Sequence, residues 1–184
     1  MYTGTISMRY AKALLMFANE TNVAEKVYQE ALTLRKSFRQ IPELRQTLEK
    51  PVTTRKNKCA ILRQAAGGEI TQQMQKFFEL VIQEKREKYL MYINQSFIDL
   101  YRKQEKIRVG KLTTAVPIAT KEVERIRKIV VDAAGGTAEF ATKVDPSIEG
   151  GFIFEINTYR LDASVADQMR RIKQQFIEKN RRIV

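Results

Sequence analysis

Histidine is absent from all 184 residues. Without it the chain lacks the commonest general base, the commonest metal ligand and every Ser-His or Cys-His nucleophile arrangement, and most enzyme classes are excluded with them. Cysteine is nearly absent too. Cys59 stands alone, so neither an internal disulfide nor a multi-cysteine zinc site can form; a reducing compartment is favoured, and the residue reads as a small buried apolar one. No run approaches the roughly 18 apolar residues of a membrane-spanning helix, and the first residues lack the basic and apolar regions of a secretion signal. Membrane contact is therefore expected only through partners. Acidic charge is also short: 33 Lys and Arg face 21 Asp and Glu, a net of +12, which predicts attraction to something acidic, whether nucleic acid, anionic lipid or protein. The excess is spread, with 18 basic and 11 acidic residues up to residue 105 and 15 and 10 beyond it. A basic tail made to follow phosphates would be more concentrated.

What the chain does have is periodicity, with 43% hydrophobic residues, enough for a real core. From Ile6 to about Gln104 the period is helical, broken at Thr21-Asn22, Ile41-Pro42, Pro51 and Gly67-Gly68, and it reads as a bundle of six helices. Thr53 or Thr54 is placed to cap the fourth. Near Lys106 the pattern changes to alternation: Ile107 and Val109, then Leu112, Thr114 and Val116 in the opposite phase, which suggests a β-bulge at Gly110. A helix is expected over Lys121–Ala134, ended by Gly135-Gly136, then strands at Glu139–Val144 and at Phe152, Phe154 and Ile156. Those two strands are joined by a turn in which Pro146 fixes φ and Gly150 and Gly151 permit positive φ. Ser164 to Asp167 reads as a capping box opening a last helix. The expected fold is mostly α: a six-helix N-terminal bundle over 1–105 and a small α+β domain, β-α-β-β-α, over 106–184.

Candidate reactive groups have plainer readings. None of the Gly-Gly pairs sits in a phosphate-loop frame. Asp145, Glu149 and Glu155 could form a hard-metal site but serve equally as turn and surface residues. Asp162 and Ser164 lack a histidine partner and read as a helix cap. More informative are the apolar surpluses. On the first helix Ile6, Met8, Tyr10, Ala11, Ala13, Leu14, Leu15, Phe17 and Ala18 span an arc of roughly 200°, where a helix packed on one side needs about 100°. The fifth helix is similar, with Ile70, Met74, Phe77 and Val81 central and Phe78, Leu80 and Ile82 flanking. Either both helices are deeply buried, or they hold a groove for a partner's amphipathic helix. On the last helix Val165, Met169, Ile172 and Phe176 form a stripe that either completes the small domain or meets a partner.

The run from Val144 through Asp145-Pro146-Ser147-Ile148-Glu149-Gly150-Gly151-Phe152-Ile153-Phe154-Glu155-Ile156, followed by Leu161-Asp162-Ala163-Ser164-Val165, closely resembles the C-terminal motif of the delta subunit of F-type ATP synthases, the oligomycin-sensitivity-conferring protein family. Arg9-Tyr10-Ala11-Lys12-Ala13-Leu14 with Phe17-Ala18 resembles that family's first helix, and Phe77-Phe78-Glu79-Leu80-Val81 with Lys85-Arg86 its fifth. Glu149 departs from the pattern, standing where an aliphatic residue is usual. The resemblance implies a non-catalytic stator subunit with no cofactor, present in one copy in a proton- or sodium-translocating complex. Its helical domain would bind N-terminal segments of the alpha subunits, with Tyr10, Ala11, Ala13, Leu14, Phe17, Met74, Phe77, Phe78 and Val81 as groove candidates. Its C-terminal domain would hold the b subunits of the peripheral stalk, with Val165, Met169, Ile172 and Phe176 as candidates. Asp145, Pro146, Gly150, Gly151, Asp162 and Ser164 are left as turn and cap residues. The chain starts about five residues before the family's first helix, too few for a transit peptide. A peripheral protein at the cytoplasmic face of a bacterial membrane is expected, or at the matrix face if the chain is a processed mitochondrial one. The rival reading is a basic nucleic-acid-binding module, drawing on Arg55-Lys56-Asn57-Lys58 and Arg170-Arg171-Ile172-Lys173.

Overall fold

The computed structural model describes residues 2–125, 128, 137–156 and 159–181. The chain divides into two compact units, Met1–Gln104 and Glu105–Val184. It is mostly helical, with a small mixed sheet of four strands in the second unit.

The first unit contains α1 (Tyr2–Glu20), α2 (Ala24–Gln40), α3 (Glu43–Glu49), α4 (Arg55–Ala65), α5 (Gln72–Gln83) and α6 (Leu90–Gln104), with a single 3-10 turn at Glu87–Tyr89. Helix starts and stops follow local chemistry. Thr54 and Thr71 each accept a hydrogen bond from the backbone N–H three residues on, at 3.3 Å, and so cap α4 and α5. After α4, Gly67 and Gly68 take φ of 122° and 86°, and Gly68 N–H donates to Arg63 C=O at 2.9 Å, a left-handed stop. The break between α5 and α6 has no Gly or Pro. Lys85 takes positive φ there, and the 3-10 turn follows.

On α1 a stripe spaced four, three and four, Ser7, Ala11, Leu14 and Ala18, is buried, and α1 packs along α6 and touches α5. Tyr28, Ala31 and Leu34 of α2 meet Phe97, Ile98 and Tyr101 of α6 in the core, where the Tyr28 and Tyr101 rings stack at 4.4 Å. Three polar ties join helices across this core. Asn94 Nδ2 donates to Ala31 C=O at 2.9 Å. Glu30 of α2 accepts from Thr71 N–H at 2.6 Å and its hydroxyl at 2.9 Å, so it caps the start of α5. Lys58 of α4 pairs with Glu87 at 2.8 Å, the two side chains only 9% and 12% exposed.

The second unit contains β1 (Ile107–Thr114), α7 (described at 120–125 and 128), β2 (Thr137–Val144), β3 (Gly151–Ile156), β4 (Tyr159–Ser164) and α8 (Val165–Arg181). Strand order is β2-β1-β3-β4, parallel between β1 and β2 and antiparallel elsewhere. Several expectations are corrected. The order is β-α-β-β-β-α, because Tyr159–Ser164 is a fourth strand. Tyr159, Leu161 and Ala163 alternate there with Arg160, Asp162 and Ser164, and Arg160 and Asp162 lie on the open polar face with Glu155 and Lys111 and pair with one another across it. There is no bulge at Gly110, since β1 pairs residue for residue with β2 from Ile107 to Thr114. Val109 instead lies on the open face. Gly110 occupies the apolar face, where a Cβ would come within 2.7 Å of the Phe140 ring and 3.2 Å of Phe154; those two rings meet edge to face at 5.3 Å. Nor do β2 and β3 form a hairpin: β1 lies between them.

Candidate functional site

The segment between β2 and β3 is a connection that crosses the end of β1, and its residues fit that task. Asp145 Oδ1 accepts from Ser147 N–H at 3.2 Å and its hydroxyl at 2.6 Å, with Pro146 at the first position of a 3-10 turn. The Ser147 hydroxyl, the Lys143 ammonium and the Ser147 amide together lower the Asp145 carboxyl pKa to about 2. Positive φ falls on Glu149, 62°, and Gly151, 72°, and not on Gly150. Gly150 is small for a different reason: a Cβ there would meet Val165 Cγ2 at 2.9 Å, while Gly150 C=O accepts from Val165 N–H at 3.0 Å.

The expected capping box at Ser164 is half formed. Asp167 N–H donates to Ser164 Oγ at 3.2 Å, but the return bond is supplied from upstream: Ser164 N–H and hydroxyl donate to Asp162 Oδ1 at 3.1 and 2.6 Å. Bonds to Ser164 and to Arg160 lower the Asp162 carboxyl. Asp167 turns instead to Arg171, at 2.7 Å, and Arg170, at 3.7 Å. Among the described residues no cluster of three or more His, Cys, Asp or Glu could hold a metal. Asp145, Glu149 and Glu155 serve a turn, a left-handed position and ion pairs. Cys59 is half buried rather than buried, and burial with the nearby Glu79 raises its thiol pKa, which disfavours the thiolate.

The groove candidates separate by burial. Ala11, Leu14, Met74, Phe78 and Val81 are core, and Phe77 is 7% exposed. Tyr10 and Phe17 are half buried and Ala13 is exposed. With Ile6 they form a second stripe on α1, one position before the core stripe and at the same four, three, four spacing. Beyond the candidates, Met8 and Met16 of α1 and Leu80 of α5 are 40%, 64% and 46% exposed. Leu80 flanks the central stripe of α5 as Phe78 does, but on the opposite side, three residues after Phe77, where it stays open while Phe78 is buried. The α8 candidates are all open: Val165 41%, Met169 59%, Ile172 47% and Phe176 65% exposed. Every residue from Gln168 to Ile177 is exposed, so this length of α8 buries no face within its own unit. Of the basic clusters, Lys58 is buried against Glu87, and Arg170 and Arg171 face Asp167.

Apolar side chains held in the open on rigid helices, with backbone turns where a reactive cluster would otherwise stand, define a protein whose chemistry is adhesion to other proteins. The pattern of the family described as ATP synthase delta (OSCP) subunit matches residues 6–176. The chain belongs to that family, the non-catalytic delta subunits of F-type ATP synthases. It is 57% identical over 185 residues to an ATP synthase subunit delta of Phocaeicola vulgatus and 49% identical over 186 to one of Bacteroides thetaiotaomicron, with 100% of each chain covered. At greater distance it is 28% identical over 169 residues to one of Prochlorococcus marinus, covering 91% of this chain and 94% of that one. In fold it resembles a chain of the Toxoplasma gondii mitochondrial ATP synthase hexamer, with a TM-score of 0.63, 24% identity and coverage of 93% and 97%. Among the described residues no helix is long and apolar enough to cross a membrane.

Proposed function

We propose that this stator subunit grips the catalytic head through α1 and α5 and the peripheral stalk through α8. The reading rests on family membership, and the observation that carries it is the open stripe of Val165, Met169, Ile172 and Phe176. Burying such a stripe against a partner helix returns roughly 25 cal/mol for each Å² removed from water. The half-buried Tyr10 and Phe17 and the exposed Ala13, with Leu80 of α5, offer a comparable face to N-terminal segments of the alpha subunits. The mechanical logic follows from rotary coupling. Torque on the head during catalysis must be resisted, and a link that slipped at either grip would let the head turn without making ATP. One copy per complex suffices, held peripherally at the cytoplasmic face of a bacterial membrane by its partners. The complex translocates protons or sodium ions through other subunits.

Affinity-tagged chain purified from native membranes should carry alpha and b subunits with it. A fragment ending near residue 105 should keep the alpha subunits and lose b. Retention of b by that fragment would refute the assignment of the stalk to α8.

A further inference from the structure

The first unit carries a recess whose lining includes no residue of α1, α5 or α8. Between α2 and α6 lies a cavity of about 350 Å³, lined by Arg35, Phe38, Arg39, Met91, Tyr92, Asn94 and Gln95. Its charge is of one sign, two arginines one helical turn apart with no carboxylate among the lining residues. Its walls are apolar and open: Met91 is 36% and Tyr92 44% exposed, and Phe38 is half buried. At its base Asn94 is only 5% exposed. The Asn94 amide nitrogen is committed to Ala31 C=O, and among the described residues no donor is paired with its Oδ1. A buried amide oxygen without a donor costs free energy until something supplies an N–H.

We propose that this recess docks an acidic segment of a protein partner, at a site distinct from the α1/α5 and α8 grips. An apolar side chain of the segment enters between Phe38, Met91 and Tyr92. A neighbouring carboxylate pairs with the guanidinium of Arg39, and a main-chain N–H of the segment reaches Asn94 Oδ1. Planar guanidinium groups recognise carboxylates by paired hydrogen bonds, which gives direction as well as attraction. The volume admits one or two side chains and so fits a short extended segment better than a whole helix.

The test uses the full-length chain, ¹⁵N-labelled, titrated with a capped peptide in which one leucine is flanked by glutamates, and with the same peptide carrying glutamines instead. The glutamate peptide should shift amide signals of α2 and α6 around the recess, and the glutamine peptide should bind at least about tenfold more weakly. Arg39→Gln and Tyr92→Ala, both surface changes, should each weaken binding by about tenfold. Arg9→Gln on α1 should change it less than about twofold, which separates the recess from general attraction to a basic protein. Equal binding of the two peptides, an unchanged affinity in Arg39→Gln, an equal loss in Arg9→Gln, or shifts confined to α1 and α5 would each overturn the proposal. Because the readout lies on α2 and α6, failure here leaves the two-grip reading standing, and failure of that reading leaves this one untouched.

Discussion

Phe176→Ala separates adhesion from stability in a single residue. The side chain is 65% exposed, and every residue from Gln168 to Ile177 is exposed with it. Truncation should therefore change folding stability by no more than about 0.5 kcal/mol, the range for surface sites. Docking is another matter. A phenylalanine presents about 200 Å², so roughly 130 Å² remains to be buried, worth about 3 kcal/mol at 25 cal/mol per Å² or a hundredfold in Kd. Thermal unfolding monitored by circular dichroism gives the first quantity. Isothermal titration with the soluble fragment of the b subunits gives the second. A fall in Tm of several degrees would mean that Phe176 completes a core, and an unchanged Kd would mean that the stalk sits elsewhere; either result refutes the reasoning.

Leu14→Ala should cost about 3 to 5 kcal/mol of stability from its fully packed position, whereas Phe17→Ala should spare most of the fold and weaken binding of an alpha N-terminal peptide, both read by unfolding and peptide titration. Lys58→Met should destabilise by about 3 to 5 kcal/mol because Glu87 is left buried and unpaired, and adding Glu87→Leu should recover most of that loss in urea unfolding. The Asp145 carboxyl, at about 2 against an ordinary 3.8, binds fewer protons folded than unfolded. Its contribution is thus fully present above about pH 4 and lost as pH falls through about 2, and a carbon-detected NMR titration of the Asp145 carboxyl should place the midpoint there.

Helices with strong periods were legible from the chain because burial repeats: Ala11, Leu14 and Ala18 had to share a face. The alternation at Leu112 and Thr114 likewise marked β1. Three features were not legible, each for a physical reason. β4 alternates Tyr159, Leu161 and Ala163 with Arg160, Asp162 and Ser164, but it is only six residues long and its last polar residues also form the cap of α8, so the capping pattern overshadowed the strand. The pairing of β2 with β1 was missed because two strands joined by a turn suggest a hairpin, and only long-range register decides otherwise. The supposed bulge came from Val109, an apolar residue on the open face, and from Gly110, whose apolar-face position is filled by the rings of Phe140 and Phe154. Among the groove candidates, period alone could not divide Leu14 from Phe17, since both lie within one broad apolar arc and differ only in what the neighbouring helices cover. The expected helix stop at Gly135-Gly136 and the helix toward Ala134 lie outside the described residues.

Ser164 is both the last residue of β4 and the cap of α8, so strand and helix share a joint of zero length. A hinge needs residues whose backbone angles can turn freely. Here Asp162 holds Ser164, Ser164 holds Asp167, and Gly150 holds Val165. The joint is a weld. Over 17 residues α8 is a lever arm of about 25 Å, and a sideways load at its tip arrives at the sheet as a turning moment with little slack to absorb it. Stiffness at that corner, more than affinity along the arm, sets how much elastic twist this end of the molecule can store.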